Sequence, residues 1–246
     1  MVDIIVANWN TKDYTRRCVN SIQKNTKTAY HLILIDNGST DGSVEWINTL
    51  HFEKILNKCN LGFAKAINQG IRVGKSELIC CLNSDTIVTN NWLFKMIEGM
   101  NIKKCDAVGP LLITVKDDHF TQLRIKTRYA LLRFLMENHG WPQDIYINNL
   151  TGRKRNISFA CILFKRDIIR KIGYLDESFG IGSCEDMDFC RRAMDAGFQF
   201  YYYKKSVVYH IGSHRTFEKN VDKLGDYRKT IFEESEKKYL EKWGSW

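Results

Sequence analysis

Leu78-Ile79-Cys80-Cys81-Leu82-Asn83-Ser84-Asp85-Thr86 decides how the 246-residue chain is read. Five apolar residues run unbroken, and polar chemistry follows at once. A run of this kind, with no polar residue alternating through it, predicts a strand buried on both faces, as inside a parallel sheet. Ligands of open α/β sheets gather outside the carboxyl ends of such strands. Asn83 and Asp85 stand at that end, two apart. An amide oxygen and a carboxylate on a rigid strand can hold a hard divalent cation, and the cation can hold phosphate. The same residues also suit a turn, or an N-cap ahead of a helix near Trp92-Leu93. Local chemistry leaves both readings open.

Moving outward toward the N-terminus, residues 62–73 predict a helix with Phe63, Ala66, Ile67 and Ile71 inward, and Lys54–Asn57 a short strand. Before them, Val44, Trp46, Ile47 and Leu50 suggest a helix, and Leu32–Ile35 a buried strand closed by the polar run Asp36–Ser43. Residues 12–24 read as a helix and residues 3–9 as the first strand. Strands and helices therefore alternate, which predicts an α/β fold with a mostly parallel central sheet flanked by helices. Asp36 follows the second strand, where it can accept from a base or ribose donor, or close an Asx-turn. The glycines nearby form neither a GxGxxG nor a P-loop pattern.

Toward the C-terminus, residues 92–100 suggest a helix, and residues 107–115 a strand pair or one kinked strand. Residues 116–156 are the least legible, and a long loop there would suit acceptor recognition or be a plain surface excursion. Ser158–Phe164 reads as another buried strand, followed by a helix through Ile168, Ile169 and Ile172. Glu185, Asp186 and Asp188 then crowd one helix start. Such acids complement a helix dipole, and one of them can also serve as a general base. Tyr227, Ile231, Phe232, Tyr239, Leu240 and Trp243 fall at helical spacing in the tail, which predicts a helix packed on the body. A homodimer contact, or a membrane-surface helix anchored by Trp243 and Trp246, is the alternative.

Composition narrows the classes. With 44% hydrophobic and 26% charged residues, the chain is an ordinary globular one, and its length suffices for one large domain or two small ones. No apolar run approaches the ~20 residues that span a bilayer. The opening residues lack a basic flank and a cleavage site, so they read as a strand and not a signal peptide. The 8 cysteines form no CxxC pair, which argues against zinc and disulfides and fits a reducing compartment. The expected place is the cytoplasm, free or peripheral at the inner face of the membrane. The net charge of +9 suggests an anionic partner. No nucleic-acid motif accompanies it, so no nucleic acid is expected.

Val6-Ala7-Asn8-Trp9-Asn10, Ile35–Ser43, Asn60–Gly70 and Leu82–Thr86 together resemble the four ordered blocks of family 2 glycosyltransferases, closest in flavour to the rhamnosyltransferase-like branch. A second group matches the same family: Gly173–Phe179, Glu185-Asp186-Met187-Asp188, Arg191-Arg192 and Val207–His210. The resemblance covers roughly residues 2–215. It implies one GT-A domain, with a nucleotide-sugar half at 1–105 and an acceptor half at 106–215; the amphipathic helical tail at 216–246 lies outside it. It implies an inverting transfer of a sugar from a UDP-, dTDP- or GDP-linked donor to a hydroxyl of a glycan, lipid-linked glycan or protein. Ala7, Asn8, Asn10, Asp36, Asn37, Asn60, Gly62, Lys65, Asn68, Asn83, Ser84, Asp85 and Arg215 would line the donor site. Asp186 would be the general base, with Glu185 placing the acceptor. Asn83-Ser84-Asp85 departs from the usual Asp-Xaa-Asp, which leaves Asp85, helped by His210, to hold Mn²⁺ or Mg²⁺. The rival readings are a non-catalytic sugar-nucleotide-binding protein on the same fold and a nucleotidylyltransferase. The second would want a Gly-rich basic loop where Ala7–Thr11 stands.

Overall fold

The computed structural model describes residues 1–114, 145–149, 156–211 and 227–245. Most of 116–156, together with Ser213, His214, Arg215 and Trp246, lies outside them. The first half alternates as the sequence predicts: β1 (Val2–Asn8), α1 (Lys12–Asn25), β2 (Tyr30–Asn37), α2 (Ser43–Asn48), β3 (Glu53–Asn57), α3 (Phe63–Val73) and β4 (Leu78–Asn83). Then follow β5 (Thr86–Val88), α4 (Trp92–Lys103), β6 (Ala107–Thr114), β7 (Ile145–Tyr146), β8 (Cys161–Lys165), α5 (Arg166–Ile172), α6 (Glu185–Asp195), β9 (Phe200–His210) and α7 (Tyr227–Trp243). Among the described residues the strands form one sheet in the order β3-β2-β1-β4-β8-β6-β9-β5, with β7 also joined to β9.

The run 78–82 is buried on both faces, for a reason visible in its alternation. Ile79 and Cys81 pack with Ile5, Ile33 and Ile35 under α3, α5 and α6. Cys80 and Leu82 pack on the opposite face with Ile4, Val6, Leu32 and Leu34 under α1 and α4. Successive side chains of a strand point to opposite faces, so a sheet covered on both sides needs apolar residues at every position.

The parallel character belongs to the first half, where β1 pairs with β2 and β4, and β2 with β3. Beyond β4 the sheet is mixed: β8 is antiparallel to β4 and β6, while β6 and β9 are parallel. β6 is one strand, and its register to β9 shifts between Pro110 and Leu111. Proline has no N–H to give the ladder, so a bulge falls there. Two expectations shift at the edges. Ser158–Ala160 forms the turn before β8 and is not part of that strand, and β9 begins seven residues before Val207.

Near the start of β1, Asp3 is fully buried. It accepts from Arg166 Nη2 at 2.8 Å, Ser76 N at 2.8 Å and Ser76 Oγ at 2.9 Å. Arg166 also donates to the carbonyls of Ser76 and Ile71, so this one side chain ties β1, α3 and α5 together. Removing it takes the guanidinium from the buried Asp3, to which Ser76 still donates twice. Arg166→Met is expected to cost about 2 kcal/mol in urea unfolding, less than a fully orphaned buried charge.

Candidate active site

The chain leaves β1 for β2 and β3 on one side and returns to β4 on the other. The strand order therefore reverses at β1, and the crevice beyond the carboxyl ends of β1 and β4 is where an open α/β sheet binds ligands. A cavity of about 260 Å³ opens there. Ala7, Asn8 and Trp9 from the end of β1 and Asn83, Ser84 and Asp85 from the end of β4 form its floor. Asn37, Asn60, Phe63, Ser158–Ala160, Ile181–Ser183, Glu185, Asp186 and His210 complete its walls.

Asp85 and His210 are 125 positions apart in sequence, yet β5 pairs with β9 and sets Thr86 opposite His210. The result is a 3.1 Å contact between His210 Nε2 and Asp85 Oδ1, both side chains largely buried. The Asp85 carbonyl also accepts from Ile211 N at 2.8 Å, which locks the two strand ends together. A carboxylate oxygen and an imidazole nitrogen this close are a donor pair that suits a divalent cation. Among the described residues no group of three or more His, Cys, Asp or Glu gathers to hold a metal. A cation here would take its remaining ligands from a bound diphosphate or water.

The same cavity is reached by α6, which begins with Glu185, Asp186 and Asp188 in its first turn. Glu185 is buried, and its Oε2 has no hydrogen-bond partner among the described residues although it lines the cavity. Burial, and then the neighbouring Asp186 carboxylate, push the Glu185 carboxyl up to about 8. Burial raises Asp186 as well, against hydrogen bonds from the Met187 N–H and the Asn156 side chain that favour its charged form. Two adjacent carboxyls in one buried site share protons, and the better hydrated one keeps the charge. Asp186 is half-buried and its Oδ1 accepts from Met187 N at 2.8 Å, whereas Glu185 Oε2 has no partner among the described residues, so negative charge is better met on Asp186.

The other residues expected at the donor site divide into two groups. Asn8, Asn37, Asn60, Asn83 and Ser84 line the cavity, as does Ala7. Asp36, Asn10, Gly62 and Asn68 are buried around it and bond to the protein. Asp36 accepts from Asn8 Nδ2 at 2.7 Å and from Ser39 N at 2.8 Å, so its carboxylate steadies the β1 end. Asn10 accepts from Thr40 N, and its own N–H meets Ser39 Oγ. Asn68 reaches Leu175 and Glu177 and staples α3 to the turn before α6. Lys65 is exposed on α3 and is not among the lining residues. Arg215 lies outside the described residues. Phe159, Ala160 and Ile181–Ser183 line the cavity without having been foreseen. Their apolar or small side chains carried no chemical signal, and the Asn83 N–H bond to the Ala160 carbonyl that brings them in is long-range.

The profile of glycosyl transferase family 2 matches residues 3–173. The chain belongs to this family. The matched span ends before Glu185, so α6, β9 and α7 are placed by the structure. A glycosyltransferase, GlyG, of Streptococcus pneumoniae is 34% identical over 113 residues, covering 44% of this chain and 38% of that protein. A poly-beta-1,6-N-acetyl-D-glucosamine synthase of Staphylococcus epidermidis is 23% identical, covering 71% of this chain and 42% of its own length. The chain thus spans about two-fifths of these curated relatives. Among solved structures, S. aureus TarS 1-349 in complex with UDP superposes with a TM-score of 0.64 at 17% identity, over 98% of this chain and 72% of that one. The mannosyltransferase PcManGT of Pyrobaculum calidifontis, in complex with GDP-Man and Mn²⁺, gives 0.60 at 18% identity over 87% and 57%. The fold is the GT-A fold of these glycosyltransferases. No helix among the described residues is long and apolar enough to cross a membrane.

Proposed function

We propose that the protein transfers a sugar from a nucleotide-diphosphate sugar to an acceptor hydroxyl in glycan biosynthesis, with inversion at the anomeric carbon. One observation carries the reading: the Asp85–His210 pair and the Glu185–Asp186 pair face one cavity at the switch point of the sheet. UDP and GDP-Man in the cited neighbours support a nucleotide-sugar donor, and the Mn²⁺ in one supports a divalent cation, Mn²⁺ or Mg²⁺. Asp85 and His210 would hold that cation together with the donor diphosphate. When bound, it offsets the charge that builds on the departing diphosphate.

The chain's own groups perform the rest. Asn60 and Asn83 line the donor cavity with amides, and Asn37, whose own amide is taken up by Asn57, Asn60, Leu61 and Gly62, fixes the wall beside them. Asp36, Asn10 and Gly62 hold these walls. Asp186 takes the acceptor proton as the hydroxyl oxygen bonds to the anomeric carbon and the bond to the diphosphate breaks. Protonated Glu185 can donate a hydrogen bond to an oxygen of the bound sugars without adding a second negative charge. A turnover screen of UDP-, dTDP- and GDP-sugars with Mn²⁺ tests the proposal: release of nucleoside diphosphate from one of them is expected, and none from any would overturn it.

Asp85→Ala removes the charged half of the cation pair. Calorimetric titration with the nucleoside diphosphate of that donor should show affinity in Mn²⁺ reduced at least about tenfold, or ~1.4 kcal/mol. EDTA should weaken binding to the native protein and leave the variant unchanged. Equal affinities in all four titrations would remove the cation from the donor site.

A further inference from the structure

The backbone entering α6 is strained. Ser183 has φ 105° and Cys184 φ 67°, both in the region that glycine prefers, and Gly180 and Gly182 flank them at positive φ. Non-glycine residues are disfavoured there and persist only where their surroundings over-determine them. This elbow presents Glu185 and Asp186 to the cavity. Its cavity side is fixed by α3: Phe63 N donates to the Ile181 carbonyl at 2.9 Å, and a side chain at Gly62 would sit 2.0 Å from the Gly180 carbonyl oxygen.

Its outer side is fixed by α7, which lies beyond the span matched by the family. Lys242 Nζ sits 2.8 Å from Asp176 Oδ2 and 2.8 Å from Asp188 Oδ1. Trp243 Nε1 donates to the same Asp188 oxygen at 3.0 Å, while Arg192 Nε takes Asp188 Oδ2 at 2.8 Å. Asp188 is fully buried, so all of its charge is met by these three donors. Higher up the helix, Tyr239 packs on Phe179 and Cys184, Ser235 Oγ donates to the Phe179 carbonyl, and Lys238 reaches the Ser178 carbonyl. Arg191 closes the end, stacked over Trp243 at 4.4 Å and donating to the Ser245 carbonyl.

We infer that Lys242 and Trp243 are positioning residues: through Asp188 they hold the strained elbow in the one conformation that aims Asp186 at the acceptor. The inference rests on the proposed role of Asp186. A looser elbow leaves Asp85, Asn83 and the β1 end untouched, so donor binding should survive while the chemical step slows. Small misplacements of a catalytic group cost large factors in rate.

The test uses the full chain, with Lys242→Met, Trp243→Phe and Lys242→Arg. Trp243→Phe removes the N–H donor and part of the indole but keeps an aromatic ring there, which guards against a Lys242→Met that fails to fold. For Lys242→Met and Trp243→Phe, kcat should fall roughly tenfold at a donor KM within about twofold of native. Hydrogen exchange should rise in residues 181–187 but not in β1 or β4, and Lys242→Arg should recover most of both. Native kcat and native exchange in both variants would overturn the inference. So would faster exchange spread evenly over the sheet, or no recovery with arginine. If exchange rises only at 181–187 but Asp186→Asn proves active, the clamp stands and the role of Asp186 falls, so the two failures are distinguishable.

Discussion

Asp186→Asn is expected to lower sugar transfer by roughly 10²–10⁴-fold, the usual contribution of a positioned general base, and to leave nucleoside diphosphate affinity within about twofold. The amide is nearly isosteric with the carboxylate, and its oxygen can still accept from Met187 N. What it lacks is a basic oxygen for the acceptor proton. The helix N-terminus on its own would make Asp186 a weaker base, since it favours the charged form. Burial acts the other way and wins, lifting the carboxyl above its ordinary range. A base lifted toward the working pH accepts a proton more readily in the transition state. A steady-state comparison of kcat, with donor affinity measured separately by titration, checks both halves of the expectation.

Glu185→Gln is expected to make the protein more stable in alkaline solution while slowing turnover. Burial and the adjacent Asp186 raise the Glu185 carboxyl from 4.5 to about 8. Between those two values the folded chain still holds a proton that the unfolded chain has released. Stability from this group is therefore present below pH 4.5 and is lost as pH rises toward 8. A carboxyl displaced this far costs the folded state on the order of 5 kcal/mol once the loss is complete. Glutamine has no proton to lose, so its advantage should be near zero at pH 4, grow through pH 5–8 and level off above. Thermal or urea unfolding of both proteins across that range reads the difference directly. Such a gain in stability at the expense of turnover is what a strained, functional carboxyl predicts. A constant offset at every pH would show that Glu185 titrates normally.

Much of this architecture was legible in the chain. The apolar run at 78–82 announced a doubly covered strand, and Asn83, Asp85, Asp186 and His210 all came to one cavity. These residues read well because their signals are local: an apolar run, a polar strand end, acids at a helix start. Less legible were features set by distant partners. Asp36 and Asn68 are polar residues in the expected places, but which way each side chain turns depends on Asn8 and on Leu175, 28 and 107 positions away. β5 is three residues long, too short for any periodicity to show. The aromatic and lysine run Tyr201–Lys205 hid the first part of β9, which the bulge at Pro110 interrupts. The left-handed backbone at Ser183 and Cys184 had only the neighbouring glycines as a hint, since neither residue favours that region. The clamp of Lys242 and Trp243 on Asp188 joins elements more than 50 residues apart. Helical spacing in the tail predicted a helix and left packing on the body, a dimer contact or a membrane surface open, and the fold shows α7 against Phe179, Cys184 and Asp188.

The central claim is that Asp186 and the Asp85–His210 pair act on one nucleotide sugar in one cavity. Its most direct test follows nucleoside diphosphate release, in Mn²⁺, from the donor that the panel selects, for the native chain and for Asp186→Asn side by side. The native protein should release it, and the variant should bind the same nucleotide with native affinity yet release at least about a hundredfold less. Equal release by the two proteins would contradict the account.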